Sequence, residues 1–375
     1  MSLTLYTGAT QFDTFPHMED HFKTAKLLPS STPFEFPDGR ELALPEKFNF
    51  ENQSRFTEHF IKSTDTSALL VIKNGELRLE KYFHTGGRDV QWISWSVAKS
   101  FVSALIGIAI EEDLIGSINE PITHYVTSLK GSAYDGVSIK NVLQMSSGAN
   151  WNEDYSDQNS DIHRLGAAMA GEESLAEFVE NIENAAEPGT LCQYNSADTQ
   201  ALGMLLVNAT GRSITSYMQE KICQPLGMCS SGYWIVDKAG MEMALGGLNL
   251  TARDFAKIGE LYRNQGLWRG VQIVPECWVS ASTESDSPHL QTGQVLVGGH
   301  VLPLGYGYQW WIPEGGCGEF SAIGVYNQFI YVDPSRGVVI VKLSANRAYG
   351  TTPNEETNRE MESIEFLRAV ARAMD

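Results

Sequence analysis

The strand-like runs of this chain lie toward its two ends, and no convincing alternating strand interrupts the stretch between about residues 126 and 240. Near the start, residues 68–72 and 77–83 flank Asn74-Gly75. Asn-Gly adopts positive φ at little cost, so these runs read as a β-hairpin. Near the other end, residues 328–332 and 338–343 flank Asp333-Pro-Ser-Arg-Gly337, a second hairpin. The middle of the chain reads as helices over 139–145, 174–182, 199–208 and 213–222 joined by polar loops, with further helices over 252–265 and 355–374. Two distant hairpins bury their apolar faces by joining one sheet. The expected class is therefore α+β: an antiparallel sheet flanked by helices, with an inserted all-helical domain. The expected boundaries are an N-terminal arm over 1–50, extended on the surface, a sheet domain built from 51–125 and 245–375, and a helical domain over 126–244.

A chain of 375 residues with 42% hydrophobic and 19% charged residues has globular composition and can bury a core without staples. Lys+Arg number 27 against 46 Asp+Glu, a net charge of −19. That balance disfavours nucleic acid and anionic membrane surfaces, which select for basic patches. The most apolar stretch, 104–110, is too short to span a bilayer. The first residues show no basic start followed by an apolar run, so a cytoplasmic protein is expected. The five cysteines include no Cys-x-x-Cys pair and read as reduced, buried thiols. His17 and His21 stand four apart, but Glu19 is not placed as a zincin requires. Gly305-Tyr-Gly307 lacks the third glycine of a dinucleotide fingerprint, and neither a phosphate-binding loop nor a Gly-x-Ser-x-Gly elbow occurs. No metal or cofactor is called for. The sequence is compatible with a homodimer.

Ser96-Val-Ala-Lys99 is followed by the apolar run 101–110. Three residues along a helix bring Ser96 and Lys99 to neighbouring positions on one face. Apolar surroundings desolvate a lysine and lower its pKa toward that of a general base. A helix beginning near Ser96 also aims free N–H groups at any oxyanion formed there. A surface lysine beside a capping serine is the plainer reading, which the unbroken apolar run makes less comfortable. A second candidate is Pro188-Gly189 leading to an exposed Tyr194-Asn-Ser196 at a helix entrance. Ammonium neighbours would favour its phenolate; without them, a tyrosine there is ordinary packing.

Taken with Asn141-Val-Leu-Gln-Met-Ser-Ser-Gly148, the stretch 246–259 (Gly-Gly-Leu-Asn-Leu-Thr-Ala-Arg-Asp-Phe-Ala-Lys-Ile-Gly) and Ala322-Ile-Gly324-Val-Tyr-Asn-Gln328, these motifs resemble the serine β-lactamase and penicillin-recognising family. The similarity is to its class C branch, with its esterases and 6-aminohexanoate-dimer (nylon oligomer) hydrolases. The motifs run in order from about residue 65 to 345. The resemblance implies a β-lactamase/transpeptidase-like fold, with Ser96 as nucleophile and Lys99 and Tyr194 as the proton-transfer pair. It implies an oxyanion hole made by the N–H groups of Ser96 and Val325. Tyr155 matches a loop tyrosine of the nylon hydrolases, and Ser196, Gly324, Tyr326 and Trp310 are further candidates for binding substrate. Trp310 is also a candidate for core packing between sheet and helix. Ser196 stands where the lactamases have Asn, Ala322-Ile-Gly324 stands where they have Lys-Thr-Gly, and Met145 replaces a common His. The activity implied is hydrolysis of a small amide or ester through a Ser96 acyl-enzyme. The alternative is a β-lactamase, or a penicillin-binding sensor with little turnover. Which of Lys99 and Tyr194 acts as base stays open.

Overall fold

The computed structural model describes residues 10–169, 173–315, 318–352 and 355–374. Its centre is a seven-stranded sheet of β1 (Thr66–Lys73), β2 (Glu76–Tyr82), β3 (Leu304–Tyr306), β4 (Trp311–Pro313), β5 (Phe320–Gly324), β6 (Gln328–Asp333) and β7 (Val338–Ser344). The spatial order is β3-β4-β5-β6-β7-β1-β2, antiparallel throughout. Both expected hairpins are present, and they meet where β7 pairs with β1, setting Val341 against Leu70. At the first turn Asn74 and Gly75 have φ of 51° and 79°, the left-handed pair that a tight hairpin needs.

The central strands are buried on both faces, and alternate residues enter two separate cores. Leu70, Ile72, Ile330, Val332, Val339 and Val341 belong to one core, which holds the buried face of α3 (Ala252–Arg263). Leu69, Val71, Phe329, Tyr331 and Ile340 belong to the other, with Ile364, Phe366 and Leu367 of α4 (Glu360–Arg372). The expected terminal helix over 355–374 is broken. Arg359 adopts φ of 58° between a short turn at Glu355–Asn358 and α4, so Glu360 opens the longer helix.

The helices of the middle region form where expected, each started by a side chain that satisfies free N–H groups. Ser138 and Ser213 cap their helices, Ser174 completes a capping box with Glu177, and Asn195 caps α2 (Ser196–Thr210). The last expected helix is shorter, Ile214–Met218, and continues as a π-turn over Gln219–Cys223. The helix α1 (Ala98–Glu111) is buried continuously from Ala98 to Ala109 and packs against α2. Gln309 ties these layers: its carbonyl accepts from Ser100 at 2.8 Å, its amide oxygen from Thr199 at 2.6 Å, and its amide nitrogen donates to the Leu143 carbonyl at 2.7 Å.

A second, four-stranded sheet departs from the expected division. Its order is Thr24–Leu27, Gly232–Ile235, Leu248–Leu250, Trp92–Ile93, all antiparallel. A strand therefore lies inside the stretch read as purely helical, and the arm is not merely wrapped on the surface. Phe15, Met18 and Leu27 are in the core, and 47–56 forms its own hairpin. The strand Trp92–Ile93 delivers the chain directly to Ser96. Residues 1–9 of the expected arm lie outside the described residues. The thiol expectation is corrected in part: Cys192 and Cys223 are buried, with burial raising both pKa values, whereas Cys229 is half-buried and Cys277 exposed. Cys317 lies outside the described residues. Among the described residues no helix is long and apolar enough to cross a membrane.

Candidate active site

Ser96 sits in a 3-10 turn, Trp95–Val97, that runs straight into α1. Trp95 adopts φ of 44°, a sharp turn between strand and helix that sets Ser96 at the wall of a cavity. One helical turn on, Lys99 is buried at 1% exposure and its ammonium is held by three acceptors. They are Ser96 Oγ at 3.0 Å, Ser196 Oγ at 3.1 Å and the Leu245 carbonyl at 2.8 Å. Burial lowers the Lys99 pKa to about 8, against an opposing pull from Glu153.

Tyr194 reaches the same spot from the residue before the Asn195 cap of α2. Its ring lies 5.2 Å from Lys99 Nζ. It is buried, at 5% exposure, not exposed as the Pro-Gly turn suggested, because Tyr306 and Trp311 pack on it at 6.0 and 5.0 Å. Burial and the Glu153 charge raise its pKa well above 10, partly offset by a hydrogen bond with Ser96. The ammonium stabilisation expected for a phenolate is outweighed, so this phenol is protonated at neutral pH.

The strand β5 ends beside Ser96. A Cβ on Gly324 would stand 2.6 Å from the Ser94 carbonyl and 3.1 Å from the Ser96 nitrogen, so only glycine permits this approach. Val325, next in the chain, lines the same cavity, which encloses about 380 Å³ with its open mouth included. Its walls are mostly apolar: Val297 and Leu302 from a small hairpin, Leu304, Trp311 and Ile323 from the sheet, and Tyr155 and Tyr349. Two carboxyl groups, Glu153 and Glu360, complete the lining.

Glu153 was not legible as a site residue. It accepts from Trp151 Nε1, from Tyr155 OH at 3.0 Å, from the Ser196 N–H at 3.1 Å and from Ser196 Oγ at 2.7 Å. Ser196 thus bridges Lys99 and Glu153. It was expected to bind substrate, yet it lies beneath the wall rather than in the lining, a difference that follows from its place at the first residue of α2. For Trp310 the core-packing alternative holds rather than substrate binding: it packs on Tyr262 and Phe320 at 4.6 and 5.2 Å, while its neighbour Trp311 faces the cavity. Adjacent residues in extended chain point to opposite faces, so only one of the pair can line the site. Tyr326 is also outside the lining. Its φ of 63° turns it back onto Trp95, Phe15 and Tyr349. Tyr155 and Gly324 are both in the cavity lining. Met145 occupies the anticipated His position, and its sulfur accepts the Asn195 N–H at 3.4 Å, bracing the segment that carries Tyr194.

The "Beta-lactamase" family model matches residues 55–365. The 6-aminohexanoate-dimer hydrolase of Paenarthrobacter ureafaciens is 30% identical over 296 residues, spanning 77% of this chain and 74% of that protein. A Bacillus anthracis structure provisionally described as a 6-aminohexanoate-dimer hydrolase superposes with a TM-score of 0.85 at 23% identity, covering 98% of this chain and 95% of that one. A family VIII carboxylesterase structure gives 0.64 at 13% identity, over 84% of this chain and 95% of that one. By its family match and by its fold, the chain belongs to the β-lactamase family.

Proposed function

We propose that this protein is a serine hydrolase that cleaves a small amide or ester through an acyl-enzyme on Ser96. The observation that carries this reading is the buried Lys99 Nζ, 3.0 Å from Ser96 Oγ at the wall of an apolar cavity. Family membership and the 6-aminohexanoate-dimer hydrolase relative support it.

In its neutral form Lys99 takes the Ser96 proton as Oγ attacks the substrate carbonyl. The N–H groups of Ser96 and Val325 stabilise the oxyanion. Lys99, now an ammonium, returns its proton to the leaving amine or alcohol through the protonated Tyr194 phenol, which donates one proton and regains another. Water then adds to the acyl carbonyl, gives its proton to the same pair, and frees Ser96 and the acid. Lys99 is the base in this scheme because burial moves its pKa down into the working range, whereas burial moves that of Tyr194 away from it. With a net charge of −19, the partners we propose are small-molecule substrates, not nucleic acid or membrane. The free thiols fit a reducing compartment, so we place the enzyme in the cytoplasm.

The test is Ser96→Ala, assayed with p-nitrophenyl esters and linear amides. Loss of turnover by ~10³-fold or more, in a variant that melts like the parent, is the expected outcome. A folded variant that keeps the parent's rate would overturn the assignment.

A further inference from the structure

Another buried lysine lies outside the lining of the catalytic cavity. Lys257, on α3, is 1% exposed, and its Nζ donates to Asp254 at 2.9 Å, to the Gly227 carbonyl and to Cys229 Sγ at 3.3 Å. Asp254 fixes the cysteine as well: its carboxylate accepts the N–H groups of Cys229 at 2.9 Å and Ser230 at 3.1 Å. One turn of α3 therefore carries both the cation and the group that holds the cysteine's backbone against it. The thiol in turn donates to the Phe34 carbonyl of the N-terminal arm at 2.9 Å.

The described cysteines differ in their surroundings. Cys192 and Cys223 are buried, and burial pushes both thiols up in pKa, away from the reactive thiolate. Cys229 is half-buried and, among the described cysteines, it is the one with a lysine nitrogen at hydrogen-bond distance from its sulfur. A cation beside a partly accessible thiol is the setting in which a thiolate reacts with peroxides. An amine held 3.3 Å from the sulfur is also placed to attack it once it is oxidised.

We propose that Cys229 and Lys257 form a redox modification site, at which hydrogen peroxide joins them through a reversible sulfur–nitrogen bond. The thiol first takes one oxygen from peroxide: an S–O bond forms, the O–O bond breaks and water leaves, giving a sulfenic acid. Lys257 then releases one proton to solvent, and its nitrogen lone pair attacks the sulfur. The S–O bond breaks, and the departing hydroxide takes a second amine proton and leaves as water. Sulfur is oxidised by two electrons and the peroxide is reduced by two, so no further oxidant enters. Thiols reverse the bond: one forms a mixed disulfide with Cys229 and frees the amine, and another releases the cysteine. The cross-link ties residues 227–230 to α3 and removes the positive charge facing Asp254. It is independent of the hydrolase reading above.

The test treats the reduced, full-length protein with hydrogen peroxide and maps its peptides by mass spectrometry. The expected product joins the peptides that carry Cys229 and Lys257, is lighter than their sum by two hydrogens, and disappears on adding dithiothreitol. Lys257→Gln is expected to abolish the cross-link and to slow the loss of free Cys229 thiol by ~3-fold or more, while dimedone then traps the sulfenic acid at Cys229. A thermal melt verifies the fold of the variant. Should it not fold, the near-isosteric Cys229→Ser takes its place, and a Lys257 cross-link that survives it overturns the pairing. Oxidation of Cys229 in the parent with Lys257 left free overturns the proposal. A disulfide from Cys229 to another cysteine, or a bridged product that retains an oxygen, does so too.

Discussion

In the proposed mechanism, burial of Lys99 beneath Ser96 sets the pH at which the site works. Its folded-state pKa is lowered to about 8 by desolvation, so the neutral, proton-accepting form grows as pH rises through that value. The expected pH profile of kcat/KM for a neutral ester is a rising limb centred near 8. Glu153 opposes the shift, since its charge favours the ammonium. Glu153→Gln is therefore expected to move that limb to lower pH, read from the same profile; a limb moving to higher pH would contradict the role given to Glu153. Nothing in the sequence marked this residue. It stands in an irregular loop 43 positions before Ser196, and only folding brings the two to 2.7 Å.

At the scale of elements, the site depends on how closely the end of β5 meets the turn before α1. Gly324→Ala would drive a Cβ into the Ser94 carbonyl and the Ser96 nitrogen. We expect a loss of stability of about 1–3 kcal/mol and a larger loss of ester turnover, measured by thermal melts and kinetics. The start of α2 carries a second strained feature. Asp198 is fully buried and accepts from Ser147 at 2.7 Å and Tyr134 at 2.9 Å, but burial raises its pKa from 3.8 to about 7. Between those values the folded state binds more protons than the unfolded one, so stability falls as pH rises from about 4 to about 7. Asp198→Asn should then stabilise the protein above pH 7, on the order of 4 kcal/mol, and give no such gain below pH 4; melts at the two extremes check this. The helices after Ser138, Ser174, Ser213 and Thr251 were readable from apolar periodicity, which is a local pattern, and the caps that start them are equally local chemistry. The strand Gly232–Ile235 was not, because its partners Thr24–Leu27 and Leu248–Leu250 are remote in the chain.

For the molecule as a whole, the charge of −19 disfavours an anionic substrate. Among the described residues the lining contains no Lys, Arg or His, and Ala322, at the position where the resemblance puts the lysine of Lys-Thr-Gly in the lactamases, is buried and apolar. Nitrocefin, an anionic β-lactam, should be turned over with a kcat/KM lower by ~10³-fold or more than p-nitrophenyl butyrate. Comparable values for the two would show that the acidic surroundings do not select against anions.

The two hairpins, the main helices and the Ser96–Lys99 spacing were legible because each rests on neighbours within a few residues: a turn sequence, an apolar periodicity, a helical spacing. Their union in one α+β sheet followed from the need to bury apolar faces. What tertiary structure alone decided was which polar groups share one buried volume. It placed Ser196 between Lys99 and Glu153, sent Trp310 into the core and Trp311 into the cavity, buried Tyr194 so that its phenol keeps its proton, and set Glu360 in the wall. Desolvation and pairing depend on contacts between segments 43 to 146 residues apart, and no local pattern encodes them.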